Sequence, residues 1–151
     1  MFSNKWHGRF MEMARLVSSW SKDPSTKTGA VVVGPDREIR ATGYNGLVRG
    51  VNDDIPERME RPTKYDFFEH AERNAVYNAS LIGTSLKGCV MYATHPPCTD
   101  CARAIIQAGI KMVVTTELKR DANTPEGTWR DKLSYSEQMF NEAGVIYKTI
   151  S

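Results

Sequence analysis

The sequence predicts a layered α/β fold, and three observations carry that prediction. Five short apolar runs read as strands, helical periodicities fall between most of them, and the first two runs lie close enough to form a hairpin. The pattern leaves strand order open. In chain order, Trp6, Phe10, Met13, Leu16, Val17 and Trp20 recur at helical spacing, one apolar stripe of a first helix that faces the core. Ser21-Lys22-Asp23-Pro24 ends it, because a proline ring disfavours helical geometry at the residue before it. Gly29–Val33 reads as a buried strand, Gly34-Pro35-Asp36-Arg37 as a turn, and Glu38–Tyr44 as the returning strand. Residues 45–64 hold glycines, prolines and mixed charges without a period, a length of irregular chain that is usually functional or mobile. Helical character resumes over Phe67–Ser80, with Gly83 as its stop, and Gly88–Ala93 is the third strand. Cys98–Ala108 is a helix ended by Gly109, followed by a strand over Lys111–Thr115. Leu133, Ser136, Phe140 and Ala143 mark a last helix stopped by Gly144, before a fifth strand over Val145–Ile150.

The 151 residues suit a single domain spanning the whole chain, which can bury about 68–70% of its unfolded surface and needs no disulfide. Hydrophobic residues at 40% and charged residues at 25% exclude a disordered or collagenous chain. Twenty Lys and Arg against eighteen Asp and Glu leave a net charge of +2, too even for nucleic-acid binding by bulk charge. No apolar run approaches the roughly 20 residues of a membrane span, so no membrane partner is expected. Residues 1–9 lack an apolar core behind a basic start and do not read as a signal peptide. The expected setting is cytoplasmic, where disulfides are rare, so the three cysteines call for packing, reactivity or metal.

Two segments carry chemistry: His70-Ala71-Glu72 and Pro97-Cys98-Thr99-Asp100-Cys101. Helix positions three apart share a face, so Cys98 and Cys101 can aim at one point. Proline at the helix start costs no hydrogen bond, and the positive end of the helix favours thiolates. Two thiolates and the His70 imidazole make three ligands that suit Zn²⁺ and leave a fourth position for water, the arrangement of catalytic rather than structural zinc. Glu72, in the first turn beside His70, is placed to hold or receive a proton near that water. H-x-E followed by P-C-x-x-C is a known signature of zinc-dependent nucleobase deaminases. Taken separately, Cys-x-x-Cys also fits a redox pair or half of a closed zinc knuckle, and His-Ala-Glu a plain helix start. A closed site needs a fourth ligand, and His7, His95 and Cys89 are poorly spaced for it. Cys89, in an apolar strand, reads as inert core, while His95 either lines the pocket mouth or is a plain loop residue.

Over about Trp6 to Val145 the chain resembles the deoxycytidylate (dCMP) deaminases of the cytidine deaminase-like fold. The resemblance rests on Ser21-Lys22-Asp23-Pro24-Ser25-Thr26 leading into Gly29–Val33, on Gly43-Tyr44-Asn45-Gly46 with Arg49-Gly50, on His70-Ala71-Glu72, and on Pro97–Ala102 followed by Ile105–Ile110. It implies a three-layer α/β/α architecture with a five-stranded mixed sheet, assembled as a homo-hexamer. The implied reaction is dCMP plus water to dUMP plus ammonia, the supply of the dTMP precursor, with dCTP as activator and dTTP as inhibitor. A zinc-bound hydroxide would attack C4 while Glu72 moves the protons. The backbone N–H near Ala71 would meet the base carbonyl, and Asn45 matches the family position that bonds the sugar hydroxyl. Lys22, Ser25 and Lys27 form a polar, basic cluster suited to the 5′-phosphate. Lys119 stands where some relatives place a substrate-contacting tyrosine. Gly46 and Arg49 open the irregular segment, a candidate effector loop at a subunit contact. Some relatives carry a second, structural zinc; too few Cys and His remain here, so one zinc per chain is expected.

Two other readings compete. A tRNA-editing adenosine deaminase shares the zinc chemistry but typically has a short connection before His-Ala-Glu, and the even charge supplies no face for tRNA. A non-catalytic, zinc-stapled binding module would need the missing fourth ligand.

Overall fold

The computed structural model describes residues 2–118 and 129–151. From the N-terminus the chain runs through α1 (Asn4–Ser18), β1 (Gly29–Val33), β2 (Ile39–Tyr44) and a two-residue strand β3 (Gly46–Leu47). A 3₁₀ turn (Pro56–Met59), the short helix α2 (Lys64–Phe67) and a second two-residue strand β4 (Phe68–Glu69) lead into α3 (Ala71–Ile82). Then follow β5 (Val90–Ala93), α4 (Thr99–Gln107), β6 (Met112–Thr116), α5 (Trp129–Ala143) and β7 (Ile146–Ile150).

The main sheet is five-stranded and mixed, in the order β2-β1-β5-β6-β7. β1 pairs antiparallel with β2 and with β5, whereas β5–β6 and β6–β7 are parallel. The β1–β5 pair is thus a seam between a hairpin half and a half built from crossovers. β1 and β5 are buried along their whole length, which explains their unbroken apolar sequences. Successive side chains of a strand point to opposite faces, and two apolar clusters result. Val31, Val33, Val90, Tyr92 and Val114 pack under α1, against Phe10, Met11, Ala14 and Val17. Ala30, Val32, Met91 and Val113 face the other way, against α3, α4 and Phe140 of α5.

Two glycines set how closely the helices approach. A Cβ on Gly29 would lie 2.2 Å from the Ala14 carbonyl oxygen of α1, and one on Gly43 2.3 Å from the Ala71 carbonyl oxygen of α3. Only residues without a side chain let helix backbone come that near.

The helix boundaries differ from the sequence expectation in two instructive places. α1 buries His7, Phe10, Met11, Ala14 and Val17, while Leu16 and Trp20 of the expected stripe are more than half exposed. The true face is rotated because a buried histidine, whose Nδ1 lies 2.8 Å from the Tyr92 hydroxyl, counts as core. α3 begins at Ala71 rather than Phe67, because Phe68 and Glu69 pair with Leu47 and Gly46 in a two-stranded ribbon. That ribbon closes the neck of the irregular excursion. At its far end α3 stops at Gly83, which takes the left-handed conformation at φ 78°.

Candidate functional site

Two helix N-termini meet where the candidate ligands lie. His70 is the N-cap residue of α3 and Cys98 that of α4, with Cys101 one turn further along α4. Pro97 precedes the Cys98 N-cap, at the start of α4, and fixes the direction from which the chain enters it. α3 packs on β1 and β2, and α4 packs on α3, so the two ligand-bearing ends are held by opposite sides of the seam. His70 Nδ1, Cys98 Sγ and Cys101 Sγ all lie within 4.8 Å of one another. Nδ1 is 3.4 Å from Cys98 Sγ and 3.5 Å from Cys101 Sγ. Tetrahedral zinc with ordinary bond lengths sets an N···S edge of roughly 3.5 Å, so this donor set fits the ion.

The electrostatics suit a cation as well. The Cys101 thiol is the main influence that pulls Cys98 down to about 4, and His70 adds to it against the cost of burial. The same pairing, with burial, pushes Cys101 far up. Two thiols this close share their protons: one ionises readily and the other does so only when a cation takes the proton's place. His70 is raised above its ordinary value chiefly by its bond to Cys98.

Glu72, 5% exposed, lies against this cluster and hydrogen-bonds the Cys101 thiol. Burial pushes its carboxyl above the usual carboxylate range, opposed by the Cys101 thiol and the His70 ring. Beside it, Arg73 Nε is 2.5 Å from Glu69 and its Nη1 3.5 Å from Asp100, a bridge from the start of α3 to the start of α4.

A sequence profile for the cytidine and deoxycytidylate deaminase zinc-binding region matches residues 4–117. The chain belongs to this family. It is 44% identical over 142 residues to an uncharacterised deaminase in the luxG 3′ region of Aliivibrio fischeri, covering 94% of this chain and 91% of that protein. It is 38% identical over 149 residues to human deoxycytidylate deaminase, covering 95% and 79% respectively. Among solved structures, the dCMP deaminase of cyanophage S-TIM5 in complex with dCMP and dUMP superposes with a TM-score of 0.78 at 27% identity, over 99% of this chain and all of that one. The fold is therefore cytidine deaminase-like and the protein is a hydrolytic deaminase of this family.

The remaining sequence candidates occupy a turn and the ribbon. Asn45, 8% exposed, follows β2; its Oδ1 accepts from the Thr28 N–H, and its Nδ2 donates to Asp23 Oδ2 and the Thr26 carbonyl. One lone pair of Oδ1 is left for a ligand. Ser25 donates its hydroxyl to Asp23 and accepts from Lys64 Nζ at 3.0 Å. Lys22 reaches Asp53 at 2.9 Å, and Lys27 is exposed. Gly46 belongs to the ribbon, where it pairs with Glu69, so Asn45 and His70 flank the same two-residue element. Arg49 donates to Asn78 of α3. Ala71 is fully buried, and the first-turn N–H groups of α3 have no acceptor within the helix. Lys119 lies outside the described residues. Cys89 is buried in the apolar core and His95 is half-buried, with Nδ1 3.3 Å from Thr94 Oγ1.

Sequence reasoning missed Lys64. It is 7% exposed, 2.6 Å from Asp23 Oδ2, with its ammonium over the Phe68 ring. Nothing local distinguished this lysine from a solvated one.

Proposed function

We propose that the chain converts dCMP and water to dUMP and ammonia as one deaminase domain, supplying the dTMP precursor. The observation that carries this reading is the three-donor cluster of His70, Cys98 and Cys101 with the buried Glu72 carboxyl beside it, hydrogen-bonded to Cys101. It is supported by the names and bound nucleotides of the relatives above. His70, Cys98 and Cys101 hold one Zn²⁺ per chain; it is the one cluster of three such donors among the described residues. When bound, the ion would supply Lewis acidity for activating water.

The other steps belong to the protein. Glu72 accepts a proton from the attacking water, delivers it to the ring nitrogen, and assists departure of the amino group as ammonia. A carboxyl raised by burial suits a group that must gain and lose a proton in one cycle. The N–H of Ala71, at the positive end of α3, receives the base carbonyl. Asn45 offers its free Oδ1 lone pair to a sugar hydroxyl, and Lys22, Ser25 and Lys27, with Lys119, take the 5′-phosphate. Gly46 and Arg49 belong to a loop that binds dCTP as activator and dTTP as inhibitor. Tyr77, Leu81 and Ile82, exposed on α3, support assembly, for which the family resemblance gives a homo-hexamer. No described helix is long and apolar enough to cross a membrane; the cytoplasmic setting is part of the proposal.

Chromatographic product analysis with dCMP, deoxycytidine and a tRNA anticodon loop tests the reading. dUMP and ammonia from dCMP, with no inosine from the tRNA, are expected. Inosine formation, or turnover of none of the three, rejects it.

A further inference from the structure

The excursion between β3 and β4 has two ends, and both lead to one carboxylate. At its start, Asn45 Nδ2 donates to Asp23 Oδ2 at 3.2 Å; at its finish, Lys64 Nζ meets the same oxygen at 2.6 Å. The other oxygen, Oδ1, accepts the Ser25 N–H at 2.9 Å, the Ser25 hydroxyl at 2.9 Å and the Thr26 N–H at 3.3 Å. One side of Asp23 therefore holds the neck of the excursion, and the other side holds the turn that carries Ser25.

The burial of this group is what makes it more than a surface contact. Asp23 is 2% exposed, Lys64 7% and Asn45 8%, and Ser21, at 3%, donates to the Asn45 carbonyl and accepts from the Asp23 N–H. A buried ion pair is costly to open, because each charge left without its partner has no water to replace it. Lys64 is doubly engaged, since its ammonium also reaches Ser25 Oγ and lies over Phe68, two residues before His70. Further out, Lys22 on the turn bonds Asp53 in the excursion. Turn and excursion are joined at two depths.

We propose that Asp23 clamps the neck of the 48–63 excursion and that Lys64 is a positioning residue for the phosphate-binding turn, so that turn and excursion order and disorder together. The clamp rests on the proposed function for the ligand of that turn, a nucleoside monophosphate. It goes beyond that function in giving the excursion a mechanical route to substrate affinity. Lys64 touches no substrate; it acts through Asp23 and Ser25.

The test uses the full zinc-loaded enzyme with Lys64→Met and Lys64→Gln. Hydrogen exchange is followed in residues 22–28 and 46–63, and kcat and KM are measured for dCMP. In Lys64→Met, exchange should rise about tenfold in both segments together, KM should rise about tenfold, and kcat should change less than twofold at unchanged zinc content. Lys64→Gln, whose shorter side chain can still donate hydrogen bonds from its amide, should lie between Lys64→Met and wild type, and it decides the matter if Lys64→Met does not fold. Exchange that rises in one segment alone, a KM at the wild-type value, or a matching fall in kcat overturns the proposal. If the unaltered enzyme does not turn over dCMP, the substrate assignment fails, and the paired exchange still decides the clamp.

Discussion

Glu72 and Cys98 sit in the same cluster but answer to different chemistry, and substitution separates them. In the proposed reaction Glu72 has a proton to move and no metal to hold. Glu72→Gln keeps the volume and removes the titrating group, so zinc content and melting temperature should stay at wild-type values. Proton transfer of this kind is worth about 10²–10⁴-fold, and the rate on dCMP should fall by at least that. Cys98→Ala leaves two protein ligands, and both zinc and activity should disappear. Metal analysis beside a rate assay checks both; zinc lost from Glu72→Gln makes Glu72 a ligand and overturns the division of roles. The convergence of His70, Cys98 and Cys101 was legible because it is written in two short motifs, each at a helix start where backbone geometry leaves little freedom. Lys64 and Asp23 were not legible. Their contact spans the whole irregular segment, and a buried lysine shows itself only through a partner that no periodicity locates. Asn45 shows the same limit in another form, since the sequence does not reveal that the turn already engages its amide three times and leaves one Oδ1 lone pair.

At the scale of elements, the contact between β2 and α3 decides where His70 and Glu72 stand. Gly43→Ala would drive a methyl group to 2.3 Å from the Ala71 carbonyl oxygen and 2.4 Å from the Ala75 nitrogen. Both are helix backbone and cannot swing aside, so α3 must shift as a body. Overpacking of this sort costs about 1–3 kcal/mol, and zinc should bind more weakly because His70 moves with the helix. Gly46→Ala, three residues on, meets nothing within 4 Å and should leave stability unchanged. Chemical denaturation with zinc titration compares the two; equal stabilities would show that the close approach is not limiting. The five main strands were readable as apolar runs, and their burial explains why. The ribbon was not, because two residues have no period, and it moved the start of α3 from Phe67 to Ala71. The α1 stripe misled for a related reason: neighbouring stripes on one helix overlap, and only the partner surface, here Tyr92, selects between them.

Across the whole molecule, the three candidate ligands come from opposite sides of the β1–β5 seam. His70 belongs with the hairpin and the helix packed on it, whereas the cysteines belong to the crossover between β5 and β6. An ion held by all three fastens the two halves. Where contacts across the seam form after the folding transition state, their stabilisation appears mainly in the unfolding rate. At a thousandfold excess over its dissociation constant a ligand adds about 4 kcal/mol. Zinc should therefore slow unfolding in denaturant strongly while leaving the refolding rate within about twofold. Stopped-flow chevrons with and without a chelator measure this; a refolding limb that moves instead would place the site in the folding nucleus.

The two faces of the sheet are filled very differently, and this bears on how the molecule can diverge. Where α3 and α4 meet the sheet, Ala71, Ala75 and Ala79 of α3, Ala102 of α4, and Ala30 and Ala41 of the strands share one cluster with Met91, Ile105 and Phe140. Beneath α1 lie Phe10, Met11, Tyr92 and Met112. At these alanines any substitution except glycine adds volume and presses on the helices that carry His70 and the cysteines. On the α1 face large side chains can exchange with one another at constant volume, and methionine adapts to the gaps. Substitutions should therefore be tolerated better on the α1 face than at the alanines beside His70 and the cysteines.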